Sequence, residues 1–238
     1  MTSLISFLHT CFIRSYRYGP PTFVFFIGII FVYSVIPNPV MESYAFSSAF
    51  LFVISTSICY ILIDIETANQ ESVTMLHCRS LIKLYIAKLL YSWIFTIPLA
   101  LYAVLFPAIF HKFDRNPTLD ELMMSFLYHA ALSWLGVSLA CWFCSKFIRS
   151  RLMSFLMLNF IVIITFCVQA IQNLLTERLK PVIALLPPLN KTLHVLMNYD
   201  TVSLYTKISA IGASLIYGFM LTVLFLFLLH KRKLDSSQ

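Results

Sequence analysis

The sequence predicts an all-α, polytopic membrane protein with six transmembrane helices. Three observations lead there: six apolar runs of span length separated by short polar connectors, a charged fraction of only 11% against 60% hydrophobic residues, and basic residues gathered at the ends of the runs. A soluble globule of 238 residues cannot cover its surface with so few charges. The mean hydropathy of +0.85 says the same. The whole chain, 1–238, reads as one transmembrane domain without internal repeats or low-complexity tracts.

Residues 1–18 place Leu4, Phe7, Leu8, Cys11 and Phe12 at helical spacing, with Ser3, Ser6, Thr10, Arg14 and Arg17 largely opposite, which predicts an interfacial helix. Its basic residues follow the apolar stretch and no small-residue cleavage site appears, so the segment is expected to be retained. Gly19-Pro20-Pro21 breaks this helix and starts the first span, which Pro37 and Pro39 end. At about 17 residues, that run is near the lower limit for crossing a bilayer.

The second run covers 44–63, the third 84–110 with kink sites at Pro98 and Pro107, the fourth 122–147, the fifth 152–171 and the sixth 203–229. Between the fifth and sixth, Pro181, Pro187 and Pro188 divide 172–203 into pieces too short to span, read as short outer helices. Six crossings put both termini on one side. Eleven of the 17 lysines and arginines then fall on that side, including Arg79, Lys83, Lys146, Arg149 and Arg151, and six fall opposite. The positive-inside rule places both termini in the cytoplasm.

Several chemistries lack their residues. The five glycines are scattered and none opens a GxxxxGK[ST] loop, so the chain carries no P-loop of its own. The basic residues do not form a polar face interleaved with aromatics, which argues against nucleic acid. The six cysteines lie mostly inside apolar runs and are expected as free thiols, with Cys141 and Cys144 packing rather than ligating. No HExxH pattern occurs, so no metal site is expected. His129 and Asn159 fall within spans four and five, where a polar side chain marks either a transport path or an interhelical hydrogen bond.

The organising stretch is 64–88, the longest polar interruption on the basic side. Glu66 and Glu71 come early in it, and Arg79, Lys83 and Lys88 come late, which suits a helix whose charges oppose its dipole. Val73, Met75, Leu76 and Leu81 are apolar positions without strict amphipathic periodicity, which suits a short helix whose small patch fits a partner's groove, or else packs on the protein's own spans.

In this pattern the chain resembles the membrane subunits of ABC transporters of the ABC-2 permease type. The resemblance lies in the amphipathic first helix, the six spans, the cytoplasmic segment between spans two and three, and the broken outer helices between five and six. Its local motif is an acidic residue after span two, a small-residue and hydroxyl turn with a hydrophobic cluster, and a lysine as span three begins: here Glu66, then Gln70-Glu71-Ser72-Val73-Thr74-Met75-Leu76, then Lys88. Asn69-Gln70 and Cys78 stand where the family often has Gly-Thr and a proline.

The resemblance implies a permease of the bacterial cytoplasmic membrane that exports a hydrophobic or amphipathic cargo, a peptide or antimicrobial compound. It implies that a separate ABC ATPase subunit binds the ATP and docks on the coupling segment 64–83 through Glu66, Glu71, Val73, Met75, Leu76 and Arg79. It also implies a second permease copy or paralogue, with no cofactor and no catalytic site in this chain. The alternatives are a polytopic membrane enzyme, such as a protease or acyltransferase, built on groups such as His129, Asn159, His194 and Asp200, and a passive immunity protein.

Overall fold

The computed structural model describes residues 1–174 and 186–235; residues 175–185, which include Pro181 of the expected outer segment, and 236–238 lie outside the described residues. The described chain is helical, and no strand occurs among these residues. Two helices precede the long ones. Helix α1, Thr2–Ser15, ends where Tyr16 takes a left-handed backbone (φ 55°), and buries Leu8 and Phe12. Helix α2, Gly19–Val32, carries Pro20 and Pro21 in its first turn, where a missing N–H removes no intrahelical bond.

Helix α3 is Val40–Ile63, α4 is Ala68–Cys78, α5 is Leu81–Ile109 with Pro98 and Pro107 inside it, and α6 is Leu119–Ala140, running into a 3-10 turn at Cys141–Phe143. Helix α7, Arg151–Leu174, the short α8, Leu189–Met197, and α9, Leu204–Asp235, complete the described set. Five of these, α3, α5, α6, α7 and α9, are long and apolar enough to cross a bilayer. That is the pattern of a multi-pass membrane protein.

The expected first span differs from its sequence reading. Its helix has 14 residues, about 21 Å at helical rise against a hydrocarbon core of about 30 Å. It stops at Tyr33, ahead of Pro37, whose preceding residue is biased away from helix. Helix α2 packs on α3, and the polypeptide also runs beside the second half of α5. At one end Tyr18 packs on Phe95; at the other Tyr33 packs on Phe106 and Phe113. Beyond it, Asn38 is tied to the loop after α5 by Asn38 N–H to Lys112 O (3.2 Å) and Asp114 N–H to Asn38 O (3.0 Å).

Helix α3 is the centre of the bundle, packed on α6 along one side and on α5 along another. Small side chains let it approach α6 closely. At Gly136 of α6, a Cβ would meet Ser55 Oγ, lie 2.6 Å from the backbone oxygen of Phe52 and lie 2.8 Å from Thr56 Oγ1. In a bilayer, where lipid tails compete equally for apolar surface, such close backbone approach is a main source of helix association. One apolar cluster joins α3, α6, α8 and α9, and a second joins α1, α2, α3 and α5.

Helix α7 is different. Its buried positions, Ser154, Leu158, Val162, Thr165 and Val168, form one narrow stripe, and most of its remaining described surface is exposed apolar side chain, including Phe155, Phe160 and Ile163. That distribution fits a helix turned toward lipid on one side.

Close packing at Gly136 sets a test. Gly136→Ala is expected to cost about 1–3 kcal/mol by overpacking, because the obstruction includes backbone that cannot rotate away. Gly212→Ala in α9, where nothing lies within 4 Å, is expected to leave stability unchanged or raise it by up to about 1 kcal/mol. Thermal melts of the two variants in the same detergent measure the difference.

Candidate functional site

Three charged residues of the polar stretch, Glu66, Glu71 and Lys88, converge under α4. The stretch folds there for local reasons. Asp64 ends α3, and its carboxylate accepts hydrogen bonds from Ser145 N–H (2.8 Å) and Ser145 Oγ (2.7 Å), tying that end to the turn after α6. Thr67 and Gln70 form a capping box that starts α4. Arg79, left-handed at φ 55°, stops it, and Ser80 caps α5 immediately afterwards. Two helices thus meet at a sharp corner, with the beginning of α5 beneath α4.

Lys88 lies under that corner with its side chain 1% exposed. Its ammonium is 2.9 Å from Glu66 Oε2 and 3.9 Å from Glu71 Oε1, donates to the carbonyl of Ile63 at 3.0 Å, and stands 5.2 Å from the centre of the Tyr85 ring. Glu66 Oε1 accepts from Thr74 Oγ1 at 2.6 Å. Glu71 Oε1 accepts from Tyr85 Oη at 2.9 Å, and Oε2 pairs with Lys146 at 2.6 Å. Two carboxylates therefore meet two ammonium groups, and one ion pair is almost fully enclosed.

Burial pushes the Glu71 carboxyl up, but the hydrogen bond from Lys146 and the charges of Lys88 and Lys146 outweigh it, leaving the group below its ordinary value. Breaking an enclosed pair by removing one partner strands the other in a low-dielectric interior, at about 3–5 kcal/mol. The cluster joins the end of α3 through Ile63, the start of α5 through Tyr85 and Lys88, and the segment after α6 through Lys146. It clamps α4 to three spans at once.

Of the docking residues read from the sequence, Glu66 and Glu71 turn inward into this cluster. Val73 and Leu76 point outward, 56% and 75% exposed; Met75 is half-buried and Arg79 is exposed. The outer side of α4 therefore presents Val73 and Leu76 among the polar Asn69, Gln70, Ser72 and His77, and its inner side is ionic. Sequence reasoning ranked Lys146 only as an orienting charge and gave Tyr85 no ionic role. A spacing of three residues between Tyr85 and Lys88, one helical turn, was the available signal.

His129 and Asn159 are not brought together. His129 is enclosed between α6 and α3: its Nδ1–H donates to the carbonyl of Ser125 (2.7 Å), and its Nε2 lies 2.9 Å from Ser47 Oγ. Because a carbonyl can only accept, Nδ1 holds the proton, and in the neutral ring Nε2 accepts from the Ser47 hydroxyl. Asn159 lies on the exposed side of α7 and returns its amide N–H to Phe155 O of its own helix at 2.8 Å. Of the two other polar groups weighed for an enzyme, His194 is in α8 and Asp200 in the turn that follows it. All six cysteines are free thiols.

No protein-family model, curated protein or solved structure matches this chain. The arrangement under α4 is thus read from its own geometry.

Two outcomes follow. Lys88→Ala is expected to destabilise the protein by about 3–5 kcal/mol, and Lys88→Met combined with Glu66→Gln and Glu71→Gln is expected to recover most of that loss; melting curves decide. Because the folded Glu71 carboxyl lies below its ordinary value, the unfolded chain binds the extra proton. Its stabilisation is complete above the usual carboxylate range, about pH 4, and is lost as pH falls through the folded value. Glu71→Gln should flatten that acid limb of the stability profile relative to the parent chain.

Proposed function

We propose that this chain is the permease subunit of an ABC-2 type exporter in a bacterial cytoplasmic membrane, with six crossings and both termini in the cytoplasm. A separate ABC ATPase docks on α4, and a second permease copy or paralogue completes the path for a hydrophobic or amphipathic cargo, such as a peptide. The observation that supports it is the construction of α4: a short helix that exposes two large apolar side chains, Val73 and Leu76, on its outer side and has an ionic underside anchored to α3, α5 and the turn after α6.

Such a helix transmits force. A partner moving the ridge cannot shift α4 alone, because separating Glu66 from Lys88 exposes each to an apolar interior; α3 and α5 move with it. The six-crossing reading draws support from the apolar α2 and the turns that carry the chain on to Asn38, which together accompany the second half of α5 from Phe95 to the loop after it.

A second reading is a membrane enzyme, favoured by one contact: Ser47 hydroxyl to His129 Nε2 at 2.9 Å, the pairing that activates a serine nucleophile. Both residues are fully enclosed. The two readings part at different residues. On the permease reading, Val73→Asp with Leu76→Asp abolishes co-purification of a soluble ATPase and lowers its chain-dependent ATP hydrolysis at least about tenfold, which is 1.4 kcal/mol of binding, while the melting temperature is unchanged. Ser47→Ala leaves transport intact. Full transport in vesicles with no ATPase present, or transport lost in Ser47→Ala alone, overturns it.

A further inference from the structure

Between α1 and α4 the structure leaves an open groove of about 1070 Å³, at the upper end of the size of small-molecule sites, about 300–1,000 Å³. Leu4, Phe7, Ile65 and Val73 supply apolar lining. Arg14, Arg17 and His77 supply the polar rim. The groove extends along α1 from Ser3 to Arg17, about 20 Å at helical rise.

Its charge is unbalanced. The acidic residue in the lining is Glu66, and both its oxygens are occupied, one by Lys88 at 2.9 Å and one by Thr74 at 2.6 Å. Arg14 and Arg17 are exposed, and neither guanidinium joins an ion pair among the described residues. The groove also lies at a defined level. Helix α1 packs Phe12 on Tyr91 and Phe95 of α5, and His9 Nδ1 lies 3.0 Å from Tyr91 Oη, so α1 lies beside the middle third of α5, while the α4 side of the groove, from Asn69 to Cys78, directly precedes Arg79 and Lys83. An apolar trough that carries two guanidinium groups without an ion pair among the described residues, beside a helix long and apolar enough to cross a bilayer, is complementary to a single molecule with an anionic head and hydrocarbon tails.

We propose that this groove binds one anionic phospholipid, its phosphate held by Arg14 and Arg17 and an acyl chain lying against Leu4, Phe7 and Val73. The site is built from this chain alone, and it shares Val73 with the surface proposed for ATPase docking. Filling it braces α1 against α4, two helices that the described contacts connect mainly through α5.

The test uses the full chain, reconstituted in phosphatidylcholine bilayers with and without phosphatidylglycerol, released into mild detergent and weighed by native mass spectrometry. The parent chain should retain one phosphatidylglycerol in preference to phosphatidylcholine. Arg14→Ala with Arg17→Ala should reduce that retention about thirtyfold, from roughly 1 kcal/mol for each arginine, with an unchanged melting temperature. Val73→Trp, which obstructs the trough and keeps both arginines, should reduce retention of the lipid as well. Arg149→Ala, outside the groove, should not.

Equal retention of the two lipids by the parent chain, or undiminished retention in the double arginine variant, overturns the proposal. So does displacement of the lipid by inorganic phosphate together with retention by Val73→Trp equal to the parent's, which assigns the site to a free anion. ATPase docking is measured separately through Leu76→Asp alone, at a residue outside the groove lining, so failure of either reading leaves the other to its own data.

Discussion

An ammonium group enclosed at the base of α4 constrains everything around it. Lys88 is long enough to reach water from many positions in a span, yet its side chain is turned inward, against Glu66, the carbonyl of Ile63 and the face of Tyr85. A charge taken out of water is tolerable only where opposite charge and hydrogen-bond acceptors replace the solvent. Those partners come from the end of α3, the loop into α4 and α4 itself, so the relative positions of three helices are specified by one side chain. Glu71 extends the same logic to Lys146.

Elsewhere the bundle is held by weaker and more distributed means. Between α3 and α6, Gly136 brings backbone close to Phe52, Ser55 and Thr56, and His129 spans the same interface to Ser47. Interhelical hydrogen bonds of this kind contribute about 1 kcal/mol or less each in a membrane. The distinction bears on mechanism: apolar and hydroxyl contacts can slide past one another at small cost, whereas the ionic corner resists separation. The end of α3, α4 and the start of α5 are therefore joined more firmly than the helices around them.

Much of the architecture was legible in the residues. The apolar runs that become α3, α5, α6, α7 and α9 were visible because a bilayer demands length and apolarity, and both are one-dimensional properties. The start of α2 was visible in Gly19-Pro20-Pro21, and the short helix α4 in the charge gradient from Glu66 to Lys83. Less legible was the length of α2, 14 residues, because the point at which a helix unravels ahead of a proline depends on what its last turn packs against. Here that is Phe106 and Phe113.

The candidate site divides along the same line. Sequence alone determined that a polar helix lies between two spans and that Val73 and Leu76 lack polar character, because composition and helical spacing are properties of neighbours in the chain. Only the tertiary structure decided that Glu66 and Glu71 face inward while Val73 and Leu76 face out, that His129 reaches Ser47 across 82 residues, and that Asn159 stays on its own helix. The physical reason is that a carboxylate turns toward whichever cation is nearest in space, and the nearest cations, Lys88 and Lys146, arrive from other parts of the chain.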